Sequence, residues 1–353
     1  MEMDIYDYTE KKKVSYRRVL DLTVLTNPLG PSNKAKIAMR TALKTVSRFP
    51  DPAARALRRS IARKEHIGAE NILFGAGSTH LLDLILAGLR PHKVLIPAPV
   101  PSHHASALQR AGIEAVPLPF RKETGFPLDA DRLMASLDGV SLLLIPNPHP
   151  MTGSLIPLPV LHEVIDKIEG SATTLVLDEG LIEFTESPSL LERAAQSRNL
   201  IVLRSFSLYH GLAGLRLGYA VGPEPLLRLL SGVAGPNPVS AVAGVAAIAS
   251  LRDNGFRKRT DEFIRTEKTY LMDKLKRTPG VEVIDTPCPF VLVRLQMSAR
   301  DLKKHLEERD ILVETFEHEK GLTLLRAPVR RHRENARFAK TLSRIMRPSN
   351  LPA

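Results

Sequence analysis

Four short stretches of this chain carry side chains that could do chemistry. Gly75-Ala76-Gly77-Ser78-Thr79 follows an apolar run and opens an amphipathic one. Glycines let the backbone approach an anion, and the free N–H groups at a helix start favour phosphate there. A glycine turn with a serine cap also arises for structural reasons alone, so this stretch by itself leaves both uses open. Asn147-Pro-His-Pro-Met-Thr-Gly153 closes a second apolar run, and Asp178-Glu179 closes a third. A carboxylate between apolar flanks must be paired, with a ligand or with a cap or cation of the protein. The fourth stretch is Arg204-Ser-Phe-Ser-Leu-Tyr-His-Gly-Leu-Ala-Gly-Leu-Arg216-Leu-Gly-Tyr219. It offers hydroxyls at Ser205 and Ser207, an imidazole at His210 and a guanidinium at Arg216. No metal site is expected from these residues.

An α/β frame is predicted to position them. Short runs rich in Val, Ile and Leu read as buried parallel strands over 71–74, 94–97, 141–147, 174–178 and 200–205. Helical patterns over 78–89, 103–111, 157–168 and 190–198 alternate with them, as in an open sheet with right-handed crossovers. Ligands bind outside the carboxyl ends of such strands, where all four stretches fall. The last third reads as a separate α+β layer. It has one long helix over 240–276, strands over 281–284 and 290–295, and a helix over 299–308. Strands over 311–315 and 322–325 and a helix over 333–345 complete it. The stretch before about Lys44 shows no clear buried strand and is expected to join that layer.

Composition narrows the function classes. The chain has 353 residues, 43% hydrophobic and 25% charged, as in ordinary globular proteins. No apolar run reaches the roughly eighteen residues of a membrane span, and the charged N-terminus lacks a secretory pattern. One cysteine, Cys288, excludes an intrachain disulfide and fits a cytoplasmic location. The net charge is +12, but the basic residues are dispersed, aromatics make up 5% and there is no Trp. Nucleic-acid stacking platforms are therefore poorly supplied, and neither a nucleic acid nor a membrane is an expected partner.

The fourth stretch resembles the cofactor-lysine segment of fold-type-I pyridoxal-phosphate enzymes, Ser-x-Ser-Lys-x-x-Gly-Leu-Ala-Gly-x-Arg. Ser205, Ser207, Gly211, Leu212, Ala213, Gly214 and Arg216 match it in type and spacing, and Leu208 stands at the lysine. Asn27-Pro-Leu-Gly-Pro31, Phe49-Pro-Asp-Pro52 and the C-terminal Leu325-Arg326 and Arg333-Glu334-Asn335 are similar to the histidinol-phosphate aminotransferase branch and its threonine-phosphate decarboxylase relatives.

The resemblance implies an aspartate-aminotransferase-like fold. A large domain over residues 46–226 would hold a seven-stranded, mostly parallel sheet, and residues 1–45 and 227–353 would form a small domain. Homodimers are usual in the family. The implied phosphate cup is Ser78, Thr79, Ser205, Ser207 and Arg216, with Asp178 against the pyridine nitrogen and Arg326 on the substrate carboxylate.

The departures cluster at the reactive edge. Leu208 replaces the lysine, Pro150 and Met151 replace an Asn-Pro pair, and Leu181 replaces a tyrosine. The stacking positions hold Pro101 and His104, and Glu314 stands where relatives often carry arginine. Several coupled positions moved together, which reads as a naturally altered site. His210 could move protons, but its place two residues on would point it elsewhere. The expected protein binds pyridoxal phosphate, its amine form or a phosphorylated amino acid without a covalent link, with little or no ordinary transamination. A non-catalytic regulatory protein on the same scaffold is the alternative. An active aminotransferase or decarboxylase would need a lysine from elsewhere, and Lys122 and Lys167 are expected to lie far from the strand ends.

Overall fold

The computed structural model describes residues 4–120, 128–235, 239–319 and 322–347. Twelve strands are present among them. In chain order they are β1 (Leu20–Leu22), β2 (Ile72–Gly75), β3 (Val94–Ala98), β4 (Ala115–Pro119), β5 (Leu142–Pro146) and β6 (Thr174–Asp178). β7 (Leu200–Ser205), β8 (Gly218–Val221), β9 (Val281–Ile284), β10 (Phe290–Gln296), β11 (Ile311–Glu319) and β12 (Leu322–Pro328) follow. The chain divides into two compact units, Leu29–Lys258 and Met1–Pro28 with Arg259–Ala353.

The larger unit holds a seven-stranded sheet in the order β2-β8-β7-β6-β5-β3-β4. Pairings from β4 to β7 are parallel; β8 runs antiparallel to both β7 and β2. Alternation along each strand sorts side chains to two faces, both apolar. Leu143, Ile145, Leu175, Leu177, Leu200 and Val202 join one core cluster; Leu142, Leu144, Val176, Ile201 and Leu203 join the other. The carboxyl ends of β2, β3, β5, β6 and β7 and the amino end of β8 therefore share one edge.

The expected domain boundaries shift. The helix Asn33–Ala42 packs against the helix Ala241–Leu251, and Ala35, Ala243, Ala246, Ala247 and Leu251 all enter a core on the large sheet. Residues 29–45 and 227–258 thus belong with the larger unit rather than the smaller one. The single helix expected over 240–276 is two, Ala241–Leu251 and Asn254–Lys276. Asp253 makes the break, its carboxylate accepting the Phe256 N–H at 3.2 Å.

The second unit carries a five-stranded sheet ordered β1-β11-β12-β10-β9. β1, at 20–22, supplies a strand where none was expected, pairing parallel to β11. Leu271, Leu302, Leu306, Phe338 and Leu342 fill the core beside it.

Candidate functional site

Along the shared edge of the large sheet lies a cavity of about 190 Å³, lined from six strand ends. Ser78 and Thr79 begin the 12-residue helix Ser78–Leu89 after β2, so its free N–H groups and dipole serve the same space. Ser205, Ser207 and Leu208 come from the end of β7, Asp178, Gly180 and Leu181 from β6, and Pro146, Pro148 and Pro150 from β5. His103 enters from the helix after β3, and Arg216 precedes β8.

Local backbone requirements account for the glycines around Arg216. Gly77 has φ +87°, and a Cβ there would stand 2.7 Å from Arg216 Nη2. Gly218 pairs with both Gly75 and Ser205, and a Cβ would meet the Gly77 carbonyl carbon at 2.9 Å. The β2 turn, the β7 end and the Arg216 guanidinium close together only because those side chains are absent. Arg216 itself is left-handed, at φ 48°, and Nη2 donates to the Ala76 carbonyl at 3.3 Å. The Ser205 hydroxyl accepts the Ser207 N–H at 3.1 Å, folding the strand end back on itself.

Asp178 is the buried charge of the cavity. Its Oδ2 meets His104 Nε2 at 2.9 Å and His103 Nε2 at 3.5 Å, while Oδ1 accepts the Gly180 N–H at 2.9 Å. Burial alone would push this carboxyl up, but the hydrogen bonds from the two imidazoles outweigh it and hold the group well below the carboxylate range. His104 is 1% exposed, and burial followed by the neighbouring His103 pushes its imidazole down. A neutral His104 thus donates to an ionised Asp178. This corrects the expectation for His104. It packs beneath the carboxylate and does not line the cavity; the imidazole in the cavity wall is His103, which spacing alone did not single out.

The structure brings together Ser78, Thr79, Asp178, Ser205, Ser207, Leu208 and Arg216, and turns a further candidate away from them. His210 is 3% exposed and turns from the cavity to Glu183, with Nε2 3.2 Å from Oε1. Glu183 also meets Arg204 at 3.4 Å and Arg257 at 3.1 Å. Burial would raise Glu183, but His210 and Arg204 outweigh it and hold it well below the usual range. Beside it Glu179 accepts from Ser189 Oγ and from the Leu190 N–H, so the second acid of the Asp-Glu pair is structural. Arg326 belongs to the second unit, on β12, where Nη2 donates to the Thr23 carbonyl and Glu314 is its cross-strand neighbour.

No lysine of the described residues lines the cavity. Lys167 Nζ donates to the Met134 carbonyl at 3.2 Å, and Lys122 lies outside the described residues. Leu208 is half-buried there, with Cδ1 3.9 Å from where a Cβ on Gly180 would stand. The 147–153 stretch closes on itself. Asn147 Oδ1 accepts the Ile156 N–H at 2.8 Å, and the Gly153 N–H donates to the His149 carbonyl at 2.8 Å.

Known proteins are similar to this chain. A histidinol-phosphate aminotransferase of Methylobacillus flagellatus is 31% identical over 338 residues, covering 93% of this chain and 89% of its own. Among solved structures, histidinol-phosphate aminotransferase from Sinorhizobium meliloti in complex with pyridoxal-5'-phosphate superposes with TM-score 0.87 at 21% identity, over 98% and 95% of the two chains. L-threonine-O-3-phosphate decarboxylase from Porphyromonas gingivalis gives 0.80 at 23%, over 93% and 99%. At those identities the two structures carry the fold alone. The sequence model of aminotransferase class I and II matches residues 17–331, and the chain belongs to that family.

Proposed function

We propose that this protein binds pyridoxal phosphate or its amine form without a covalent link, and that its ordinary transaminase activity is small or absent. The observation that carries the reading is a cavity with anion donors and an ionised carboxylate whose lining includes an aliphatic side chain, Leu208, which the sequence resemblance sets at the family's lysine. The residues present fit the phosphate and the pyridine of the cofactor. Ser78, Thr79, Ser205 and Ser207 offer hydroxyls, the helix start offers N–H groups, and the Gly77 gap admits the Arg216 guanidinium. They do not fit a covalent bond to the chain, because no lining side chain is an amine.

When bound, the cofactor supplies an electron sink in its ring. Asp178, kept ionised by His103 and His104, would hold the ring nitrogen of the cofactor. Arg216 and the serines would hold the phosphate, and Leu181, Pro148 and Pro150 would exclude water without offering a proton. Leu208 can neither hold nor move a proton. Losing a positioned acid-base group costs about 10²–10⁴-fold in rate, and losing covalent tethering costs more. Arg326 is the proposed carboxylate contact of an amino-acid-like or phosphorylated ligand.

The same reading extends to assembly. Ile37, Leu43, Val46 and Phe49 are exposed within one short segment, Phe49 by 94%. This exposed apolar segment is the proposed contact with a second copy of the chain, in the homodimer usual in the family.

Equilibrium titration with pyridoxal phosphate and pyridoxamine phosphate tests the binding claim. One site per chain is expected, weakened roughly ten- to hundredfold by Arg216→Ala, since hydrogen bonds to charged groups contribute about 1.5–3 kcal/mol. No saturable binding, or equal binding by the variant, contradicts the reading.

A further inference from the structure

We propose that the helix His332–Ile345 and the turn Tyr16–Arg18 beside it form a binding surface for single-stranded nucleic acid. Arg333, Arg337, Lys340 and Arg344 stand four, three and four residues apart. At about 100° per residue they share one sector of the helix roughly 60° wide, and they extend over about 16 Å. All four are exposed, while Asn335, Phe338, Ala339, Leu342 and Ile345 face inward. Glu334 is the sole acid of the helix, and its carboxylate accepts the Arg331 N–H at 3.0 Å. Exposed arginines elsewhere meet carboxylates, Arg55 at 2.6 Å from Asp51 and Arg110 at 2.7 Å from Asp83. Arg333, Arg337 and Lys340 meet none among the described residues. Like charges at these spacings weaken a helix on its own, and a polyanion laid along the stripe reverses the sign.

The turn extends the stripe. Arg337 Nη1 donates to the Arg18 carbonyl at 2.9 Å and Nη2 to the Arg309 carbonyl at 2.6 Å, which ties helix and turn together and leaves the guanidinium charge in place. Arg17 and Arg18 are exposed there, and Asp310, the nearby acid, is shared by Arg18 at 2.7 Å and the Tyr8 hydroxyl at 3.0 Å. The Tyr16 ring stacks on Tyr6, with centroids 6.1 Å and planes 24° apart. These rings are 57% and 70% exposed, two of the three exposed aromatic side chains among the described residues. An aromatic content of 5% argues against a stacking platform when the rings are scattered, but the fold gathers these two beside the cationic helix. Bases of any identity stack on exposed rings while cations track the phosphates, the two parts of a single-strand site. A membrane would meet only charge, because no apolar side chain of the helix is exposed. An acidic peptide would match the charge but brings no base to the ring pair. None of these residues lines the cavity, so the surface is independent of the cofactor reading.

The test is fluorescence anisotropy of the full-length, untagged chain with labelled thymidine and uridine oligonucleotides of about twenty nucleotides, over a series of salt concentrations; the two arms tell DNA from RNA. Saturable binding that weakens as salt rises is expected. Arg333→Ala combined with Lys340→Ala should keep the circular dichroism of the parent and lose about tenfold or more in affinity. It should also lower the slope of log affinity against log salt by about 1.4, at roughly 0.7 per phosphate contact. Tyr16→Ala should lose about fivefold or more and leave that slope unchanged, since stacking releases no counterions. Arg59→Ala combined with Arg63→Ala removes equal charge from the exposed face of the helix Arg55–Lys64 and should bind as the parent does. The proposal is overturned by any of four results: no saturable binding, equal loss in the Arg59 and Arg63 pair, no loss in Tyr16→Ala, or tighter binding to phosphatidylserine vesicles or polyglutamate than to either oligonucleotide.

Discussion

Glu183 shows how a side chain can be indispensable to the site without touching it. It sits under the cavity loop between Arg204, His210 and Arg257, with Glu179 sharing Arg204, and it is what turns His210 away from the cavity. Its carboxyl is held below its ordinary value of 4.5, so the stabilisation it contributes is complete above that pH and is lost as the pH falls through the lower folded value. Removing one partner of a buried ion cluster costs about 3 kcal/mol or more. Urea unfolding should therefore find Glu183→Gln about 3 kcal/mol less stable than the parent at pH 7, with the gap narrowing in acid below the ordinary carboxyl value. A gap independent of pH would show that the carboxylate charge is not what the cluster uses. At this scale the anion-binding side chains were legible because their order along 204–216 is distinctive. The roles of His103 and His104 were not. Neighbours on a helix start point in different directions, and only the fold decides which one reaches Asp178 and which one faces the cavity.

Elements were legible where a strand is buried on both faces. β5, β6 and β7 are continuous apolar runs, and each was readable to within a residue or two. β8 was hidden inside a glycine-rich segment whose other residues point to ligand binding. β4 is an edge strand, exposed at Val116 and interrupted by Pro117, so it lacks the buried signature. The same segment separates two kinds of glycine. Gly211 has φ +64°, and a Cβ would stand 2.5 Å from the Gly30 carbonyl carbon, whereas Gly214 has open space around it. A left-handed non-glycine residue costs about 1–2 kcal/mol before any clash. Denaturant unfolding should show Gly211→Ala losing about 2 kcal/mol or more, while Gly214→Ala stays within about 0.5 kcal/mol of the parent. Equal effects would mean that the approach of residue 30 is not what the glycine permits.

The whole molecule is two units built on different sheets, and the sequence placed their boundaries too close to the large sheet's strands. Helices 33–42 and 241–251 looked peripheral because they lie far apart in the chain, yet they pack together over one sheet face. The exposed segment from Ile37 to Phe49 follows directly, and on the present account a second copy covers it. Sedimentation velocity should find a dimer for the parent chain. Phe49→Glu combined with Ile37→Glu should give a folded species shifted toward monomer, and an unshifted dimer would place the interface elsewhere. The central claim concerns the link between cofactor and chain, and borohydride reduction tests it most directly. With one equivalent of pyridoxal phosphate, mass spectrometry of the reduced parent should show no stoichiometric adduct on any lysine, and Leu208→Lys should acquire one at residue 208. A single-site adduct on another lysine of the parent chain would contradict the account.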